Sequence, residues 1–169
     1  GSLILEVVWS RLLRLVFGST TLAISTVLVA YMLGLGIGGL IGGRYAKRFR
    51  GLATYARLEF GIAAYALVVP LLLSGLAALW WSSLGDLGFW TSSSARFVLA
   101  LLALITPTIL MGATLPVLLA GLIDDDKANS RAIGLLYGAN TLGAVAGVLL
   151  ATFVLFPAVG VHWTNVIGA

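Results

Sequence analysis

The sequence predicts an all-α fold: a polytopic membrane bundle of five to six transmembrane helices, with a short interfacial helix between the third and the fourth. Three observations predict it. Hydrophobic residues make up 60% of the 169 and charged ones 9%, with a mean hydropathy of +1.09, which excludes an ordinary soluble domain. Four uncharged runs, Leu15–Gly43, Phe60–Gly85, Phe97–Ile123 and Ala132–Ala169, each exceed the roughly 20 residues that cross a hydrocarbon core. Finally, Tyr31-Met-Leu-Gly-Leu-Gly-Ile-Gly-Gly-Leu-Ile-Gly-Gly43 runs straight into the basic stretch Arg44–Arg50. Glycines on one face let a second helix approach where no hydrophobic effect drives association, and the cations mark a cytoplasmic end.

The elements follow in order. A first helix over about Ser2–Phe17 carries Glu6, Arg11 and Arg14 and is slightly short for a full span. Gly18-Ser-Thr-Thr21 is a tight connection to a second helix, about Leu22–Gly42. The basic loop leads to a third, about Thr54–Leu73, with Pro70 near its end. Ser74–Ala95 reads as a polar-aromatic connection, because Trp80, Trp81, Phe89 and Trp90 among serines suit the headgroup level. A fourth helix spans about Phe97–Ile123, and Asp124–Arg131 is a hydrophilic turn. A fifth spans about Ala132–Leu155, and after the break at Phe156-Pro-Ala-Val-Gly160 a sixth begins at Val161.

Cations set the orientation. Arg44, Lys47, Arg48, Arg50, Arg57, Lys127 and Arg131 fall on one side, and Arg11, Arg14 and Arg96 on the other. Seven against three places the loops 44–51 and 124–131 in the cytoplasm, and the three aspartates count little. The expected location is the inner membrane of a bacterium, with lipid and other membrane helices as partners, in a homo-oligomer or a larger complex. The net charge of +4 belongs to these loops, so no nucleic acid is expected as a partner.

There is no cysteine and a single histidine, which argues against disulfides, thiol-ligated metals and a dedicated metal site. No cofactor is expected. No cleavable signal peptide is visible, because the charges of Ser2–Val16 lie inside the apolar stretch. Gly1-Ser2 in place of an initiator Met and an apolar run still open at Ala169 raise the expectation of one transmembrane domain cut from something longer.

Four features invite a functional reading. Glu6 and Arg14, eight residues apart, share a helix face, with Arg11 between them but rotated. Charges at membrane depth are costly and are paired or face a cavity. One reading is a polar site for a charged solute; the other has Arg11 and Arg14 reaching the headgroups while Glu6 pairs with a neighbouring helix. Arg57 and Glu59 point to different faces. Glu59 then meets a cation of the preceding loop, or serves as a cation site. Thr106-Pro-Thr-Ile-Leu-Met-Gly-Ala-Thr-Leu-Pro116 places two prolines in one helix, each freeing a backbone carbonyl. Such broken helices line transporter sites or merely shape a bundle. Asn140, in mid-helix, suits those freed carbonyls. The candidate polar site is therefore Glu6, Arg11, Arg14, Thr106, Thr108 and Asn140. Helix packing is expected through Gly34, Gly38 and Gly42, and through Gly143 and Gly147. Gly34-Leu-Gly-Ile-Gly-Gly39 fits a dinucleotide fingerprint only in part and follows no strand, so it is set aside. His162 beside Trp163 suits an interface position.

Together these stretches resemble the membrane region of spermidine-synthase-like integral membrane proteins. The residues that carry the resemblance are Glu6-Val-Val-Trp-Ser-Arg-Leu12, Leu33-Gly-Leu-Gly-Ile-Gly-Gly39 with Gly42-Gly-Arg44, Arg57-Leu-Glu-Phe-Gly61, Pro107–Pro116 and Leu136-Tyr-Gly-Ala-Asn-Thr-Leu-Gly-Ala144. They keep the family order and cover nearly the whole chain. Gly42-Gly-Arg-Tyr-Ala-Lys-Arg48 is also similar to the loop after the second helix of major-facilitator transporters, without its usual acid. The resemblance implies a transporter-like bundle followed by a soluble aminopropyltransferase domain, and no segment here reads as that domain. No catalytic residue is expected in this chain. The resemblance makes it the membrane domain of such a protein, anchoring or supporting a polyamine-related activity, with a polyamine as the possible ligand. The alternatives are a non-catalytic subunit of a larger membrane complex and a half-transporter for an organic cation.

Overall fold

The computed structural model describes residues 2–46, 48, 51–83, 88–122 and 130–169. The fold is all-helical: α1 (Ser2–Phe17), α2 (Thr20–Tyr45), α3 (Leu52–Ser83), α4 (Phe89–Leu122), α5 (Ser130–Leu150), a π-helical turn (Ala151–Leu155) and α6 (Phe156–Gly168). Among the described residues, four segments are long and apolar enough to cross a membrane: Thr21–Tyr45, Leu52–Ala78, Trp90–Gly121 and Ile133–Gly168. The chain is a multi-pass integral membrane protein. Its outward faces agree, since Met32, Leu40, Phe60, Leu71, Leu142 and Phe153 stand exposed where lipid tails are the solvent.

The centre of the bundle is the least apolar helix. Leu5, Val8, Trp9 and Leu13 of α1 are fully buried, and α1 packs against α2, α3, α4, α5 and α6. Arg11 and Arg14 are exposed, and Glu6 is half-buried. The three charges are therefore confined to the part of α1 that the core does not need. Gly18 closes the helix at φ 65°, with its N–H on Arg14 O at 2.9 Å; a left-handed glycine after a helix does this without a Cβ penalty. Arg96 of α4 completes the end: its Nη1 donates to Val16 O at 3.1 Å or Phe17 O at 3.2 Å. A cation there also complements the helix dipole.

The glycine face of α2 meets α4. A Cβ on Gly34 would collide with the Thr108 side chain and one on Gly38 with the Ile109 carbonyl oxygen, while one on Gly42 would lie 2.8 Å from Ala113 Cα. Reciprocally, a Cβ on Gly112 would lie 2.8 Å from Leu35 Cα. The two backbones interlock along α2, and the partner helix lies in the same chain. At the level of the basic loop, a Cβ on Gly121 would lie 3.1 Å from Gly51 N, so α4 ends where α3 begins.

The two long helices exceed their sequence-based bounds. α3 runs on through Ser83 and α4 begins at Phe89, and residues 84–87, within the stretch where the short interfacial helix is expected, lie outside the described residues. Serines and threonines tolerate helix near a terminus, where their hydroxyls serve free backbone groups. The side chains of Trp80 and Trp81, like the residues 123–129 of the hydrophilic turn, lie outside the described residues. Pro70 does not end α3, because the carbonyl it frees finds another donor, described below.

The chain reverses at Gly160. A Cβ on Gly147 would lie 3.3 Å from Ile4 Cγ1, and Phe156 lies under Arg11, so α5 and the π turn rise alongside α1. Beyond Gly160, Asn165 meets Trp9 and Gly168 meets Ile4 and Leu5, so the chain descends. Gly160, at φ 79° and ψ 176°, occupies a region open only to glycine. Just before it, the Phe156 N–H bonds Ala151 O, the wider i→i−5 turn. That widening accommodates Pro157, whose ring would otherwise press on the carbonyl four residues earlier.

Candidate functional site

Two polar features stand out in this bundle: a buried junction of four helices and an open crevice. The junction centres on Asn165 of α6, which is 2% exposed. Its Oδ1 accepts from Trp9 Nε1 at 3.2 Å, and its Nδ2 donates to Ala66 O at 2.8 Å. Ala66 lies four residues before Pro70. Proline has no N–H to give, so Asn165 supplies the donor that α3 lacks at that turn. Trp9 in turn packs on Tyr31 of α2, with ring centroids 6.0 Å apart at 52°. One amide thus ties α6 to α1 and α3, and one indole ties α1 to α2.

The expected polar constellation is not gathered at one place. Glu6 lies half-buried near Tyr31. Arg11 stacks on Phe156, its guanidinium carbon 4.1 Å from the ring centroid, a cation–π contact. Arg14 is exposed in the last turn of α1, and Thr106 is exposed on α4. Thr108 is fully buried under Gly34. Its hydroxyl has one proton to give, to Leu104 O at 2.9 Å, Ile105 O at 3.0 Å or Ala30 O at 3.2 Å. Thr114 donates to Met111 O at 2.7 Å. Neither bond serves Ala103 or Gly112, the carbonyls freed by Pro107 and Pro116. Asn140 is exposed, and among the described residues no hydrogen bond joins it to α4. Asn165, acting on Pro70 of α3, plays the part expected of Asn140. The sequence signal for it was a lone amide in an apolar run that ends beside an otherwise capless proline helix.

Asn140 instead faces a crevice. α5 leans on α1 and leaves space against α4. The space has two adjoining lobes, which share Thr114, Leu115, Ala139 and Asn140. The smaller, about 300 Å³, is also lined by Tyr55, Glu59 and Ile62 of α3, by Leu118 and Leu136, and by the C-terminal Gly168 and Ala169. The larger, about 590 Å³, is also lined by Leu3, Ile4, Tyr31, Leu35, Met111 and the small residues Gly143, Ala144 and Gly147. Glu59 is the acid on its wall; Glu6, Arg11, Arg14, Thr106 and Thr108 do not line it. Of the α5 glycines, Gly147 abuts α1, whereas a Cβ on Gly134, Gly138 or Gly143 would meet nothing within 4 Å. His162 is exposed, its ring edge-on to Trp163 at 5.8 Å. Among the described residues, no group of His, Asp and Glu could hold a metal ion.

Glu59 and Tyr55 line the smaller lobe, Thr114 and Asn140 line both, and the larger lobe adds Tyr31 beside apolar and glycine surfaces. On the wall of the smaller lobe the Tyr55 hydroxyl hydrogen-bonds the Glu59 carboxylate. No protein-family model, no curated protein and no solved structure matches the chain.

Proposed function

We propose that the chain is the membrane domain of a spermidine-synthase-like protein in the inner membrane of a bacterium, and that it holds an organic cation of the polyamine class in the α4–α5 crevice. The observation that carries the proposal is the place of Glu59: a carboxylate on the crevice wall, in one lobe with Tyr55, Thr114 and Asn140. Glu59 is exposed on that wall, so its carboxylate is open to a cation entering the crevice, with the Tyr55 hydroxyl hydrogen-bonded to it. The domain then supports a polyamine-related activity by binding, and the aminopropyl transfer that the resemblance implies is assigned to no residue here. Five crossings, α1 to α5, and a half-crossing return after Gly160 fit this role, with the loops 44–51 and 124–131 in the cytoplasm. Scintillation-proximity binding of labelled spermidine to the protein in lipid nanodiscs tests the proposal. Saturable binding supports it, and its absence removes it.

A second reading, a subunit docked within a larger membrane complex, is favoured by one observation. Gly134 and Gly138 present an open face of α5, beside exposed Leu135, Tyr137 and Leu142, where a helix from another chain could pack. Gly138→Leu distinguishes the two: loss of native-mass assembly with retained spermidine binding makes this face a docking surface, and an unchanged assembly leaves it to lipid. A half-transporter for an organic cation needs both features at once.

A further inference from the structure

We infer that the crevice is built for a single-headed alkylamine, one cationic head on one apolar tail, which enters sideways from the bilayer. The inference rests on the crevice being a ligand site and refines what the ligand is. Charge comes first. Glu59 stands in the smaller lobe, and the larger lobe carries no acid along its Leu3, Ile4, Leu35, Met111 and Gly147 walls. A polyamine can place one terminal amine on Glu59 in the smaller lobe, but its remaining charges would then have to stay out of the larger lobe, whose Leu3, Ile4, Leu35 and Met111 walls hold no acid. A monoamine places its one charge on the one carboxylate, with Asn140 and the Thr114 and Tyr55 hydroxyls as further acceptors for its N–H groups.

Shape comes second. Along the larger lobe, α5 offers only Ala139, Gly143, Ala144 and Gly147 beside the amide of Asn140, so no branched side chain narrows that lobe from that side. The lining residues Leu35, Ala139, Asn140 and Gly143 are exposed, and Leu35 and Gly143 sit in the middle of their helices. The opening therefore lies at membrane depth, where the tail of an amphiphile already in the leaflet can slide in while its head stays at the level of the Glu59 lobe, near the start of α3.

The test uses a dodecylamine with a diazirine in its tail and a dodecanol carrying the same tail, each photolysed with the protein in phosphatidylcholine nanodiscs. The expected result is amine labelling on α4 near Met111–Leu115 and on α5 near Ala139–Gly147. Labelling should be about tenfold weaker with the alcohol head, and about tenfold weaker with the amine on Glu59→Gln. Gly143→Leu should block tail labelling while spermidine still binds, which also certifies that this variant is folded. Unlabelled dodecylamine should displace labelled spermidine from the wild type. Equal labelling by amine and alcohol would overturn the inference, since the crevice would then hold any acyl chain. Saturable spermidine binding with no crevice labelling by the amine would also overturn it while leaving the polyamine proposal standing. Crevice labelling that depends on the amine and on Glu59, with no spermidine binding, would uphold the inference and remove the polyamine.

Discussion

Asn165→Leu should be among the most damaging changes to this bundle, and Pro70→Ala should partly repair it. Leucine keeps roughly the volume of asparagine, so the loss is mainly polar. It strands Ala66 O, bonded at 2.8 Å, and Trp9 Nε1, bonded at 3.2 Å. Leaving a buried donor or acceptor unpaired costs about 1–3 kcal/mol. Measured interhelical hydrogen bonds in membranes average about 0.6 and reach about 1.7 kcal/mol, so a loss of about 2–4 kcal/mol for the pair is expected. An alanine at position 70 returns an N–H to Ala66 O and should recover about 1–2 kcal/mol of that loss. The gain in helix propensity from removing proline is common to both backgrounds and cancels in a double-mutant cycle. Reversible unfolding in mixed micelles, followed by far-ultraviolet circular dichroism, gives the four free energies. A coupling below about 0.5 kcal/mol, the ordinary scatter of independent sites, would refute the claim that Asn165 compensates for Pro70.

Three further outcomes follow from the packing and the charges. Gly38→Leu should prevent a stable fold because its branches would occupy the place of the Ile109 carbonyl, whereas Gly134→Leu should melt like the wild type in detergent; equal melting of both would contradict the α2–α4 interlock. Arg96→Leu should destabilise the protein by about 1–2 kcal/mol, through the loss of a charged donor to the last carbonyls of α1, and an unchanged unfolding midpoint would show that water serves those carbonyls equally well. Cysteines at Thr91 and Arg48 should react with a membrane-impermeant maleimide from opposite sides, Arg48→Cys from the cytoplasm; reaction of both from one side would contradict the orientation set by the cations.

What the sequence made legible was local. Length and hydropathy locate the helices because a bilayer demands about 20 apolar residues per crossing. The four-residue spacing of Gly34, Gly38 and Gly42 marks a face for close approach, but periodicity on one helix says nothing about which helix comes near. Gly112 and Ala113 of α4 supply that answer through the fold. α1 gives a mixed sequence signal, since its three charges lower its hydropathy although its opposite face, Leu5, Val8, Trp9 and Leu13, is fully buried. The candidate site disperses for a related reason: Glu6 and Arg14 share a face of α1 but lie two turns apart, so Glu6 sits half-buried near Tyr31 while Arg14 is exposed in the last turn. Asn165 and Pro70 are far apart in the chain, and only the reversal at Gly160 brings them together. Glu59, close to the basic loop, favours an ion pair in the sequence, and only the stand-off of α5 from α4 reveals the space beside it.

The most direct test compares two acids in one assay. Labelled spermidine binding is measured by scintillation proximity on nanodisc-reconstituted wild type, Glu59→Gln and Glu6→Gln, each checked for a wild-type elution volume. The crevice account predicts saturable binding to the wild type, a loss of about tenfold or more in affinity for Glu59→Gln, and near-normal affinity for Glu6→Gln. Normal affinity in Glu59→Gln with loss in Glu6→Gln would place the cation beside α1 instead and contradict the account.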